Sequence, residues 1–196
     1  MINPESVTNF DRTEAELEEF LLFCIVVAGK NSKVQAKKLD KFLAYGQRFS
    51  STGSPLLSPF TILEITYKNF DLLRNLNWAK LGQYKRLYKC FENVMLLKDN
   101  LKTCTLEDLV SVFGIGMKTA KMFLLHSRRG KRHAVLDTHI LKYLKAMGVE
   151  NVPKNTPSSV KNYTRLENEF LAICDKNFKS PADMDLTVWV DTVKKS

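Results

Sequence analysis

Apolar residues in this chain recur at intervals of three and four rather than two, a spacing that commits nearly all of it to amphipathic helices. Only eight glycines and six prolines are present to interrupt them, and no stretch reads as a strand, a repeat or a low-complexity segment. Capping signals set the boundaries. Thr13 with Glu16 forms a T-x-x-E box that opens a buried helix to about Ala28, with Gly29 as its stop. Asn31 or Ser32 caps a second helix to about Tyr45, and the Ser- and Gly-rich stretch from Ser50 to Ser58 is a loop. Ser58-Pro59 is a cap followed by proline at the first helical position, so a short helix follows. A longer one is predicted from Leu81 to Leu97, and Thr105 to Asp108 caps another that ends before Gly114. Further helices are predicted from Gly116 or Met117 to Ser127, Asp137 to Met147, Ser158 to Lys176, and after Ser180-Pro181 to about Val193.

The fold class is therefore all-α. At 196 residues and 44% hydrophobic content, the chain suffices for one compact unit or two closely packed lobes. The net charge of +9 favours a polyanionic partner, nucleic acid first, although a solubilising surface accounts for charge alone equally well. Cys24, Cys90, Cys104 and Cys174 are scattered, without metal-ligand spacing, and read as reduced core residues. The longest apolar run, Phe20 to Ala28, is too short to span a bilayer and follows acidic residues, the reverse of a signal peptide's flank. A soluble, reducing location is expected, cytoplasmic and nucleoid-associated, without a membrane partner.

The chemistry concentrates between Leu109 and Leu144. In Phe113-Gly114-Ile115-Gly116, two glycines flank one apolar residue, so the backbone turns sharply while Ile115 pins the turn to the core. The amides that open the next helix, at Gly116, Met117 and Thr119, are then available to hold a DNA phosphate without reading a base. Standing alone, the turn would read as an ordinary helix-helix connection. It is followed by Lys118 in the first helical turn, where the helix dipole disfavours the charged amine. A neutral amine can attack C1′ of a deoxynucleoside, displacing the base and leaving an iminium open to β-elimination. Gripping a phosphate is the plainer use of the same lysine. Nineteen positions on, Val135-Leu136-Asp137-Thr138-His139 places a carboxylate at a helix start. Asp137 suits an N-cap, and it also suits stabilisation of the positive charge that develops as a glycosidic bond breaks. Between the two lies a loop with Arg128, Arg129, Lys131 and Arg132, flanked by His126 and His133, that suits phosphates. His126, His133 and His139 show no metal-ligand spacing and read as phosphate contacts or packing. Lys30, Lys33, Lys37 and Lys41 form a second basic stripe, which a solvated helix face explains as well.

Together, F-G-I-G-M-K-T-A and V-L-D-T-H resemble the helix-hairpin-helix and catalytic aspartate of the endonuclease III and 8-oxoguanine glycosylase superfamily. With both the lysine and the aspartate present, the chain looks like the bifunctional glycosylase and AP lyase branch, in its compact prokaryotic, archaeal or phage-type form. The resemblance implies Lys118 as Schiff-base nucleophile, Asp137 as its assistant, and Gly114, Ile115, Gly116 and neighbouring amides as holders of the DNA backbone. It implies a DNA-facing turn at Ala28 to Ser32, with Lys30 and Asn31, and two lobes with DNA in the cleft between them. The lobes would be about 1–30 with 148–196, and about 31–147, the latter containing the hairpin at about 105–127. Asp185 and Trp189, spaced i, i+4, resemble an aspartate and stacking tryptophan that receive a flipped purine; packing of Trp189 and solvation of Asp185 is the competing reading. No iron-sulfur cluster is expected, because the closely spaced C-terminal cysteines of cluster-bearing relatives are missing. Related hairpins hold a monovalent cation on backbone carbonyls. The expectation is a monomer acting on double-stranded DNA with a damaged base, 8-oxoguanine or another oxidised base. The alternatives are a non-catalytic helix-hairpin-helix DNA-binding protein and a glycosylase-fold enzyme acting on a hypermodified base.

Overall fold

A computed structural model describes residues 2–50 and 56–194, with backbone alone at 98–100, 193 and 194. Most of the expected loop from Ser50 to Ser58 lies outside the described residues. Among the described residues, ten α-helices follow one another: α1 (Glu14–Val26), α2 (Ser32–Gly46), α3 (Pro59–Lys68), α4 (Leu72–Trp78), α5 (Tyr84–Val94), α6 (Leu106–Ser111), α7 (Met117–Ser127), α8 (Thr138–Ala146), α9 (Val160–Lys176) and α10 (Pro181–Lys194). No strand occurs among the described residues, and no helix among them is long and apolar enough to cross a membrane.

The caps read from the sequence hold. Thr13 and Glu16 form a complete capping box on α1, and the Asn31 side chain accepts the Val34 N–H to start α2. Ser58 accepts the Thr61 N–H at α3, and Thr105 forms a box with Asp108 at α6. Two stretches differ from expectation. Helix α4 was not foreseen: its N-cap Asp71 makes no capping bond, because its carboxylate pairs with Arg48 and accepts from Tyr45. The helix expected over Leu81 to Leu97 is shorter. Gly82 and Gln83 adopt left-handed backbone, φ 72° and 51°, so α5 begins only at Tyr84, and it gives way to a 3-10 turn at Met95–Asn100.

The chain divides into two compact units, one of Met1–Pro4 with Asp11–Ala120, the other of Glu5–Phe10 with Lys121–Ser196. This division runs differently from the lobes expected at 1–30 with 148–196 and at 31–147. Helix α1 packs on α2 and α3 and so belongs with them, whereas α8 packs on α10. The boundary falls inside α7.

In the first unit the C-terminal half of α1 is apolar all round, with Phe20 through Val26 all buried. Its Glu18 accepts the Phe60 N–H at 2.8 Å, tying α1 to the start of α3, while the Phe42 and Phe91 rings meet edge-on at 5.7 Å. In the second unit α10 packs on α8 and α9, with Leu125, Val135 and Ala182 in one cluster.

Candidate active site

Helices α6 and α7 and the turn between them form the hairpin, of which the part up to Ala120 lies in the first unit. The turn is anchored by Ile115, which is buried and whose N–H bonds the Val112 carbonyl at 3.0 Å. Only one of its glycines is demanded by the backbone. Gly114 has φ +85°, and a Cβ there would stand 3.2 Å from the Cys90 Cβ; Gly116 has no such angle, and a Cβ there would meet nothing within 4 Å. The expectation that both glycines serve the sharp turn is thus corrected to Gly114 alone.

Arg86 of α5 clamps the hairpin from behind, donating to the Gly114 carbonyl and to the Ile25 carbonyl of α1, each at 3.0 Å. The Gly114 carbonyl already faces a guanidinium, which counts against it as a ligand for a monovalent cation. Helix α7 makes its first intrahelical bond from Ala120 N–H to the Gly116 carbonyl, so the amides of Met117, Lys118 and Thr119 precede that ladder. Thr119 is buried, whereas Gly116 is exposed and Met117 half-buried. Lys118, half-buried, lies close enough to α1 for its charge to act on Cys24, whose thiol burial pushes up to about 12 against the opposing pull of Lys118 and Arg12.

Lys30 and Asn31 occupy the turn between α1 and α2. Asn31 is spent as the cap of α2, and the Lys30 ammonium donates to the Leu81 carbonyl at 2.6 Å, bracing the left-handed turn before α5. Burial first, then the charges of Arg86 and Lys38, hold the Lys30 pKa below its ordinary value. Lys33, Lys37 and Lys41 are exposed on α2, and the Lys41 ammonium sits 4.2 Å from the Trp78 ring centroid.

The second unit carries the aspartate. An extended arm, Ala134, Val135 and Leu136, all buried, delivers Asp137 to the N-terminus of α8. There its Oδ1 accepts the His139 and Ile140 N–H groups at 2.8 and 3.0 Å. Asp137 is the N-cap, and this seats its negative charge at the positive end of the helix dipole. His139 is half-buried, and its Nδ1 has no hydrogen-bond partner.

Of the basic loop, Lys131 is exposed. The Arg129 guanidinium lies 5.2 Å from the Phe10 ring centroid, Arg132 Nη2 donates to both Asp175 carboxylate oxygens, at 2.9 and 2.8 Å, and Arg128 is half-buried. Of the two readings of His126, phosphate contact or packing, its burial fits packing. It bridges Thr8 Oγ1 at 2.8 Å and Asp185 Oδ2 at 3.1 Å. His133 stands 3.6 Å from Glu167. Asp185 is therefore a bonded carboxylate, 14% exposed, and not simply a solvated one. Trp189, one helical turn on, is half-buried.

Residues without a local sequence signal lie beside the Asp137 arm in the second unit. Tyr163 and Glu167 of α9 and Lys121 of α7 form a buried polar cluster, with Lys121 ion-paired to Glu167 and 4.6 Å from the Tyr163 ring centroid. Burial pushes the Tyr163 hydroxyl far up; the Leu136 N–H opposes this, and the Glu167, Asp185 and Asp137 carboxylates add to it. Asp137 and Asp185 thus share the neighbourhood of one protonated hydroxyl.

A family model described as 8-oxoguanine DNA glycosylase matches residues 5–178. Among solved structures, the chain is similar to the 8-oxoguanine DNA glycosylase of Thermotoga maritima, at 23% identity over 94% of this chain and 84% of that one, with TM-score 0.69. It is similar also to the 8-oxoguanine DNA glycosylase of Methanocaldococcus jannaschii, at 21% identity over 94% and 82%, TM-score 0.69. The glycosylase/lyase of that organism in complex with a 15mer DNA containing 8-oxoguanine matches at 19% identity over 91% and 81%, TM-score 0.62. The structural likenesses carry the fold, and the family match spans the hairpin, Lys118 and Asp137: the chain belongs to the 8-oxoguanine DNA glycosylase family.

Proposed function

We propose that this protein excises 8-oxoguanine from double-stranded DNA and then cleaves the strand, with Lys118 as nucleophile and Asp137 as its carboxylate partner. The observation that carries the reading is the family match over residues 5–178, which contains both residues, each at the beginning of a helix. In the first step the neutral Lys118 amine attacks C1′ of the flipped nucleotide. The C1′–N9 bond breaks, and its electron pair leaves with the base, which takes up a proton. Asp137 offsets the positive charge developing on the sugar and accepts the proton that the attached amine must lose. Opening of the sugar ring gives a Schiff base. Loss of a C2′ proton then expels the 3′ phosphate, and hydrolysis frees the lysine.

The hairpin amides at Gly116, Met117 and Thr119 hold the backbone without reading sequence, aided by Lys131 and its loop. Asp185 accepts a hydrogen bond from the extruded base, and Trp189 stacks on it. The His126 bond on Asp185 Oδ2 leaves the other oxygen for the base.

The test uses duplexes each carrying one lesion: 8-oxoguanine, thymine glycol, uracil or 3-methyladenine. Excision and strand nicking are expected at 8-oxoguanine, with Asp137→Asn slowing excision at least a hundredfold, about 2.7 kcal/mol of barrier, while DNA binding persists. Excision confined to another base would overturn the substrate. Binding without cleavage of any duplex would overturn the enzymatic reading.

A further inference from the structure

The arm that delivers Asp137 is extended but has no neighbouring strand among the described residues, so its buried peptide groups must find partners elsewhere. Side chains supply them. The Tyr163 hydroxyl donates to the Ala134 carbonyl at 2.8 Å and accepts the Leu136 N–H at 3.3 Å. One turn along α9, Glu167 accepts the Ala134 N–H at 2.9 Å. From the other direction, the Thr156 hydroxyl donates to the Leu136 carbonyl at 2.7 Å. The Asp137 N–H closes a tight turn onto the Val135 carbonyl at 2.6 Å. The peptide groups on both sides of Leu136 are thus held by two hydroxyls, and Asp137 follows at once.

We propose that Tyr163 is a positioning residue for excision, its hydroxyl fixing the arm so that Asp137 meets the reacting sugar at the productive angle. The inference rests on the reading of Asp137 as the carboxylate of the reaction. Three features single out Tyr163. It is fully buried, so its hydroxyl holds the arm without competition from water. Its two bonds bracket Val135, whose carbonyl in turn holds the Asp137 amide. It is itself held, because the Lys121 ammonium lies over its ring and is fixed by Glu167. Small displacements at such a site matter, since misplacement by about 1 Å costs about a hundredfold in rate.

Tyr163→Phe keeps the ring in place and deletes only the hydroxyl. Single-turnover excision on an 8-oxoguanine duplex is expected to slow by about 10- to 30-fold, within the penalty for misplacement, with the dissociation constant for that duplex changed by less than about twofold. In an Asp137→Asn background, followed over hours, the same substitution is expected to slow excision by less than about twofold, because its effect runs through Asp137. An equal slowing in both backgrounds, or an unchanged rate in the single variant, would overturn the proposal. Thr156→Val serves as a second variant should Tyr163→Phe fail to fold: it releases the Leu136 carbonyl, and a smaller slowing, also lost in the Asp137→Asn background, is expected. If Asp137→Asn alone excises like the wild type, the proposed function fails; if it is impaired while Tyr163→Phe and Thr156→Val are not, only the positioning role fails.

Discussion

Glu167 shows how one buried side chain serves several masters. It pairs with Lys121, accepts the Ala134 N–H and faces His133, so three groups depend on one carboxylate. Burial pushes its carboxyl up, but His133, Lys121 and the Ala134 amide outweigh that and hold it below its ordinary value. A carboxyl lowered on folding adds stability above its unfolded pKa, and the contribution is lost as pH falls through the folded value. Glu167→Gln is therefore expected to cost about 3 kcal/mol near neutrality by stranding the lysine charge. In denaturant melts the gap from wild type is expected to close as pH falls below about 4. A gap that stays constant over that range would mean that the carboxylate charge is not its source.

At the level of elements, the hairpin separates two uses of glycine. Gly114→Ala puts a Cβ against Cys90 at a left-handed angle and is expected to lower stability by about 1 to 2 kcal/mol, read as a fall in the melting temperature. Gly116→Ala meets open space and is expected to leave the melting temperature nearly unchanged while weakening binding to duplex DNA about tenfold, or 1.4 kcal/mol. Equal destabilisation by both, with binding intact, would mark Gly116 as a structural glycine. The helices themselves were legible wherever a capping residue stood before an apolar run, as at Thr13, Asn31, Ser58 and Thr105. Helix α4 was not, because Asp71 gives its carboxylate to Arg48 and Tyr45 and leaves no capping signature. The start of α5 was hidden for another reason: Gln83 adopts left-handed backbone without being glycine, with Arg86 bonding its side chain at 2.7 Å. Lys118 and Asp137 stood out because their residue types and spacing are local. Tyr163 did not, since its partners lie 27 and 29 residues away in the chain and nothing near it in sequence requires a hydroxyl.

Across the whole molecule, the chain passes between its two compact units three times, at residues 4 to 5, 10 to 11 and 120 to 121. The last passage lies within α7, two residues beyond Lys118. The segment Glu5–Phe10 is bound into the second unit, through Thr8 and Asn9 to His126 and through Phe10 to Arg129. The net charge of +9 favours sequence-independent attraction to DNA, and in the proposed function the hairpin and Asp137 supply what charge alone does not. The proposed reaction requires a covalent bond between Lys118 and the sugar, and borohydride reduction during reaction with an 8-oxoguanine duplex tests it most directly. The wild-type protein should become irreversibly joined to the DNA, with the adduct mapped to Lys118, whereas Lys118→Gln should bind the same duplex and yield no adduct. A Lys118→Gln protein that traps as well as the wild type, or a wild type that excises the base without ever trapping, would contradict it.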